Sequence, residues 1–341
     1  MSEKLITFVV PCYNSQDYMK TCIDSLLSAG ERAEILIVND GSTDRTAQIA
    51  ADYEGCFPDI CRVLTQENGG HGEGINHGLR EAAGKYFKVV DSDDWLGREA
   101  LAKMMSALDE CEEQGGVDLM VCNYVYDHCD AALNRTIRYG NVFPENRIFT
   151  WADTKNFLPW QYITMHSSCH RTQVLRDLKV ELPKHTSYED NLFVYLSLPG
   201  VKTLYYMNED LYHYFIGRED QSVSEANLKV HCAHQIRVSS MIFKAYRLDE
   251  IKKQDAKLAK YMYHEMVFMM TIATIFTRMN RSSDAEQMVK EMWEDLSRSD
   301  RNLARKVRRA SMAAVMNLPG PLGRDLGILC YRASHKFVAF N

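Results

Sequence analysis

The sequence predicts an α/β protein, a mostly parallel sheet with helices on both faces, followed by a mainly helical C-terminal region. Three observations carry this. Short β-rich apolar runs alternate with stretches of helical spacing through the N-terminal part, which is the pattern of a parallel sheet. Polar segments rich in glycine and acid follow those runs, where ligands bind in open α/β sheets. From residue 227 onward the spacing is helical almost throughout, with no internal repeat.

The elements follow in order. Residues 5–10, LITFVV, read as a buried parallel strand that stops at Pro11, and residues 16–29 show helical spacing through Tyr18, Met19, Cys22, Ile23, Leu26 and Leu27. A second strand over 33–38 leads into the polar turn 39–44 and a helix over 45–53. A third strand spans 61–65, then the loop GGHGEG at 69–74 and a helix over 75–83. The strand at 86–90 runs into VVDSDDWL, three carboxylates in four positions. Further on, strands are expected at 117–126 and 201–207, a turn-rich stretch at 141–162 and a helix at 187–198. The expected domains are 1–225, with a donor half to about residue 125 and an acceptor half beyond it, and 226–341, with the boundary near Glu225.

Composition narrows the class. The 341 residues are 46% hydrophobic and 25% charged without a low-complexity tract, which excludes a disordered chain. A net charge of -6 argues against nucleic acid as the partner. Ten cysteines form no CxxC pair, so neither a zinc site nor a disulfide framework is indicated, and free thiols in a cytoplasmic protein are expected. The apolar run at 266–276, MVFMMTIATIF, falls short of the roughly 18 residues of a membrane span and reads as a buried helix.

Four loops, at 11–14, 39–44, 68–74 and 91–94, emerge on one edge of a parallel sheet and converge. Tyr13 offers a flat face for a base and Asp40 an acceptor for a base imide or ribose hydroxyl, while glycines such as Gly70 let backbone approach a ligand. Close carboxylates suit a magnesium or manganese ion that bridges phosphates. The competing reading of 91–94 is a solvated turn in which Asp93 or Asp94 caps a helix over 96–108. Glu189 and Asp190 stand at a helix start, where the dipole keeps a carboxylate charged and available as a base or where it simply caps the helix. In LYHY, at 211–214, His213 reads by itself as an ordinary strand histidine.

Taken together these segments resemble the family 2 glycosyltransferases of bacterial cell-surface glycan type, which have the GT-A fold. The match runs in family order through VVPCYN at 9–14, VNDGSTDRT at 38–46, ENGGHGEGINHGL at 67–79 and GKYFKVVDSDDWL at 84–96, then YED at 188–190 and LYHYFIGREDQSVS at 211–224. The resemblance implies inverting transfer of a sugar from a nucleoside diphosphate donor, most often UDP-linked, to an acceptor hydroxyl on a cell-surface polysaccharide, teichoic-acid-like polymer or glycolipid. It implies Tyr13 and Asp40 at the base, Pro11 shaping their loop, and Gly70, Asn76 and Ser92 on the donor side. Asp91 and Asp93 would meet ribose and metal (Mn2+ or Mg2+), with Asp94 as a substitute and His213 as a third metal ligand. Asp190 would be the general base, with Glu189 beside it, and Arg218 and Ser222 would contact the diphosphate. One departure stands out: many relatives carry Ala-Arg-Asn where this chain has Gly74-Ile75-Asn76, and its loop carries His71 and Glu73.

Two other classes compete. A sugar-nucleotide pyrophosphorylase would place a glycine-rich loop with arginine and lysine after the first strand, where this chain has PCYNSQ, and a noncatalytic binding module has no need of Asp91, Asp93, Asp190 and Arg218 together. In the C-terminal region RNLARKVRR, at 301–309, is basic with apolar residues at helical spacing. It suits either a peripheral contact with the inner face of a membrane or packing against the rest of the chain or a second subunit.

Overall fold

The computed structural model describes residues 3–217, 230–318 and 320–338; Arg218, Ser222 and the boundary expected near Glu225 lie outside the described residues. The chain forms two compact units, Met1–Asn156 with Ile163–Ile216, and Phe157–Tyr162 with Gly217–Asn341.

In the first unit the alternation of apolar runs becomes β1 (Ile6–Cys12), α1 (Met19–Leu27), β2 (Ala33–Asp40), α2 (Thr46–Cys56), β3 (Cys61–Gln66), α3 (His71–Glu81) and β4 (Tyr86–Val89). There follow β5 (Trp95–Leu96), α4 (Arg98–Glu113), β6 (Leu119–His128), β7 (Arg135–Ile137), β8 (Ile148–Phe149), β9 (Ser168–Arg171), α5 (Thr172–Asp177), α6 (Glu189–Ser197) and β10 (Leu204–Ile216). The sheet order is β3-β2-β1-β4-β9-β6-β10-β5, with β7 on β6 and β8 on β10. Every residue of β1 and β2 is buried, as the continuous apolar runs require of strands covered on two faces.

β3, β2, β1 and β4 pair in parallel, and so do β6 and β10. Between these groups β9 runs antiparallel to both β4 and β6. The C-terminal ends of β4, β6 and β10 and the beginning of β9 therefore share one edge. The short segment SCHR of β9 gave no periodic signal of its own.

Three local expectations are corrected. β1 does not stop at Pro11 but runs through it to Cys12; the ladder to β4 ends at Val9, so Pro11 has only β2 beside it and its missing donor is tolerated. The glycine-rich loop is mostly helix, since α3 begins at His71 and contains Gly72, Gly74 and Gly78. These glycines serve close packing: an added Cβ at Gly74 would lie 3.2 Å from Pro11 Cβ, and one at Gly78 would overlap both methyls of Val9. Gly78→Ala is accordingly expected to destabilise the protein by about 1–3 kcal/mol, because a β-branched side chain on a buried strand cannot swing away, a loss that chemical denaturation would measure. Finally, neither Asp93 nor Asp94 caps a helix. Gly97 is the N-cap of α4, without a side-chain cap bond.

The second unit consists of helices with one short segment against them: α7 (Cys232–Ala245), α8 (Leu248–Gln254), α9 (Ala256–Met279), α10 (Ser283–Ser299), α11 (Arg301–Arg308), α12 (Ser311–Met316) and α13 (Gly320–Val338). The apolar run at 266–276 lies in α9, where Met266, Met270 and Ala273 are fully buried. Phe157 meets Tyr261 at 4.5 Å and Tyr162 meets Phe268 at 4.8 Å, which is why this segment belongs with the helices. In α11 the apolar Ala304 and Val307 are buried within the unit, Arg308 lies over Trp293 and Lys306 over Tyr263. The packing alternative thus accounts for the apolar side of the basic segment. No helix among the described residues is long and apolar enough to cross a membrane.

Candidate active site

The rim of the sheet edge is built from the turns after β1 and β2. Asn14 N–H donates to Ser42 Oγ at 3.0 Å, Asn14 Oδ1 accepts from Thr43 N–H at 2.9 Å, and Ser15 N–H donates to Thr46 Oγ1 at 2.7 Å. This lacing holds Tyr13 at the rim, 52% exposed, with its ring open to a flat ligand. Asp40, expected to meet a base, is 2% exposed. Its Oδ1 accepts from Gln66 Nε2 at 2.7 Å and Gly69 N–H at 2.8 Å, and its Oδ2 from Gly70 N–H at 2.8 Å. The carboxylate thus anchors the glycine turn, leaving little acceptor capacity for a ligand.

Gly70 has φ 84°, and a Cβ there would come within 3.0 Å of His185 N, so the position needs glycine for its conformation as well as its close approach. Asn76 also turns out to be a structural tie. Its amide donates to Leu182 O at 2.9 Å and accepts from Leu182 N–H at 2.8 Å, which pins α3 to the chain before α6 and leaves the side chain buried.

The centre of the edge is Asp91, just after β4. Its Oδ1 accepts from His71 Nε2 at 2.9 Å, its Oδ2 lies 3.4 Å from His166 Nε2, and its N–H donates to the Tyr212 hydroxyl at 3.1 Å. Burial by itself would raise its pKa, but His71 and His166 outweigh burial and hold the carboxyl well below the usual carboxylate range. Three positions on, the opposite holds. Asp94 is buried, with Oδ2 accepting from the Tyr212 hydroxyl at 2.6 Å and Oδ1 from Phe215 N–H at 2.9 Å. Burial first, then the charges of Asp93 and Asp91, raise its pKa well above the ordinary value.

The acidic run therefore divides its labour. Asp91 is charged and central, Asp94 ties the loop to β10, and Asp93 is half-buried between them. Ser92 is buried and shares a hydrogen bond with Ser15 Oγ at 2.9 Å, joining this loop to the turn after β1. Ligand atoms of Asp91, Asp94 and His166 all lie within 4.8 Å of one another, close enough for one cation. His213 is not in this group: its Nδ1 meets Asp127 Oδ2 at 2.8 Å and its ring stacks on Trp95 at 5.3 Å.

At the start of α6, Tyr188 adopts φ 68°, a left-handed conformation uncommon for a bulky residue. Glu189 is 3% exposed and its Oε1 accepts from His71 Nδ1 at 2.8 Å. His71 thus spans Asp91 and Glu189. Burial opposes charging its ring, but the two carboxylates outweigh burial and hold the imidazolium well above its usual range. Asp190 is half-buried, with Oδ1 accepting from Asn191 Nδ2 at 2.9 Å. The helix dipole was expected to keep it charged, yet its pKa is raised. Burial is the main cause, Glu189 and Asp91 add to it, and His166 opposes it.

Four participants escaped the sequence reading or entered it only in passing: His71, His166, Lys88 and Tyr212. Lys88, fully buried in β4, donates from Nζ to His166 O at 2.7 Å and to Ser168 O at 3.1 Å, and burial pushes its pKa down. A lysine inside the apolar run YFKVV was the signal for it. His166 had none, because it arrives from a turn-rich stretch just ahead of the antiparallel β9.

A mixed sheet of this order with helices packed on it is a GT-A fold. Residues 7–170 match the family described as Glycosyl transferase family 2, and this part of the chain is a glycosyltransferase domain of that family. It is 29% identical over 268 residues to the glycosyltransferase EpsJ of Bacillus subtilis (strain 168), covering 74% of this chain and 73% of EpsJ. It is 25% identical over 271 residues to the poly(ribitol-phosphate) beta-N-acetylglucosaminyltransferase TarS of Staphylococcus aureus (strain Mu50 / ATCC 700699), covering 77% of this chain but 44% of TarS. The crystal structure of S. aureus TarS 1-349 in complex with UDP-GlcNAc superposes with a TM-score of 0.67 at 20% identity, covering 97% of this chain and 90% of that one. The mannosyltransferase PcManGT from Pyrobaculum calidifontis, in complex with GDP-Man and Mn2+, gives 0.53 at 14% identity, covering 95% and 86%. At these identities the structural likeness establishes the fold.

Proposed function

We propose that the protein transfers a sugar from a UDP-linked donor, with inversion, to a hydroxyl of a cell-surface polysaccharide, teichoic-acid-like polymer or glycolipid. The observation that carries this is the convergence of Asp91, His166 and, through His71, the start of α6 at the sheet edge where β4 ends, with Tyr13 exposed in the turn after β1. A neighbour of the same fold binds UDP-GlcNAc.

In this reading Tyr13 stacks on the base, while Asp40 acts through the turn it anchors. Asp91, Asp94 and His166, with Asp93 beside them in the chain, would hold Mn2+ or Mg2+, a fit supported by the shared reach of the first three and by the preference of hard cations for carboxylate oxygens. Such an ion supplies neutralisation of the charge that grows on the departing diphosphate. Arg218 and Ser222 serve the same diphosphate. Asp190 takes the proton of the acceptor hydroxyl as its oxygen forms the new bond to the anomeric carbon; the bond from that carbon to the diphosphate breaks on the opposite face, and UDP leaves with the electron pair. A raised pKa makes Asp190 a stronger base than an ordinary carboxylate.

The test is thermal stabilisation of the full chain by a panel of nucleotides with manganese or magnesium, and again with EDTA. A shift with UDP that needs the metal, followed by turnover of a UDP-sugar, is the expected outcome. No shift with any nucleotide would sink the proposal.

A further inference from the structure

We propose that His71 is a positioning residue, a strut that locks the donor-side Asp91 and the α6 residue Glu189 into one body so that Asp190, the next residue, faces the acceptor. The inference rests on the reading above that Asp190 is the base.

The geometry is specific. His71 is the first residue of α3, and its two ring nitrogens meet two carboxylates from distant parts of the chain, Glu189 at 2.8 Å and Asp91 at 2.9 Å. Both ring nitrogens are thus engaged by carboxylates, and the ring ties the two together. Glu189, almost wholly buried, lies directly over Gly72, where an added Cβ would come within 3.1 Å of its Cγ.

The region around the bridge also needs holding. Tyr188 immediately before Glu189 is in the left-handed region, a conformation of a bulky residue that persists only where its surroundings over-determine it. Two further ties join the same pieces of chain: His185 N–H donates to Gly69 O at 2.8 Å, and Asn76 pairs with Leu182 in both directions. These ties fix the backbones of α3 and the segment before α6. The His71 bridge reaches across to the Asp91 carboxylate and so sets α6 against the donor-side group.

The test uses His71→Asn, Glu189→Gln and the double variant, each checked for an unchanged melting temperature to within a few degrees, with UDP affinity measured by calorimetry and transfer measured as kcat and KM. Each single variant is expected to lose about a hundredfold in kcat, the scale of a small misplacement of a catalytic group, while UDP affinity and donor KM stay within about threefold. The double variant is expected to be no worse than the worse single one, because both remove the same bridge. Should His71→Asn alone fail to fold, Glu189→Gln carries the test. A fall in UDP affinity as large as the fall in kcat/KM would overturn the strut in favour of direct contact with the diphosphate. Unchanged kcat, or losses that multiply in the double variant, would overturn it as well. Wild-type turnover of a UDP-sugar separates the two ideas: its absence defeats the proposed function, whereas its presence with unimpaired variants defeats the strut alone.

Discussion

Asp190→Asn is expected to lower sugar transfer by a factor on the order of 10²–10⁴, the usual contribution of a general base, while leaving UDP affinity within about threefold. The amide keeps the shape of the carboxylate and its contact with Asn191, but it cannot accept a proton. The same substitution should raise stability. Burial lifts the pKa of Asp190 in the folded protein above its unfolded value, so between those two values the unfolded chain has released the proton and the folded chain still holds it. Stability contributed by this group therefore falls as pH climbs through that window and stays lost above it. Asp190→Asn escapes the loss, and its melting temperature should exceed that of the parent at neutral pH and converge with it in acid. The acid limb of the pH–rate profile should likewise lie above the ordinary carboxylate range. A variant that transfers sugar normally would remove Asp190 from the base role.

The fold was largely legible because its signals are local. The apolar runs of β1 and β2, with helical spacing between them, specify buried parallel strands wherever the chain later goes. The candidate site was legible where a short motif ends a strand or starts a helix, as at Asp91 and Asp190, which the fold brings near one another. It was opaque where a residue's partner is remote. Asp40 and Asn76 look like ligand groups in sequence, yet their bonds go to Gly69, Gly70 and Leu182, and no pattern within a strand or loop announces such ties. His166 reached the centre through the one antiparallel strand between two parallel groups, a topological choice that periodicity does not encode. His213 illustrates the converse: it stands within a motif that points to the site, yet its ring is engaged by Asp127 and Trp95.

Asp91→Asn should have the opposite signature to Asp190→Asn, although both remove one carboxylate from the same sheet edge. His71 and His166 hold Asp91 below its unfolded pKa, so its charge stabilises the fold from the ordinary carboxylate range up to the raised pKa of the His71 imidazolium, and on the acid side that support is lost as the pH falls toward the folded value of Asp91. The asparagine variant lacks this support and should melt below the parent at neutral pH. It should also lose UDP binding. One side-chain oxygen cannot serve both histidines and a cation, and an amide brings no charge to the cation, so metal-dependent affinity for UDP is expected to fall about a hundredfold, equivalent to about 2.7 kcal/mol. Calorimetric titration of UDP with manganese and then with EDTA reads this directly: EDTA should weaken the parent strongly and the variant scarcely at all. Asp93→Asn should share the loss of metal-dependent binding. If Asp91→Asn keeps the EDTA-sensitive affinity of the parent, Asp91 is an internal counter-charge for the two histidines, and the cation belongs to Asp93 without it.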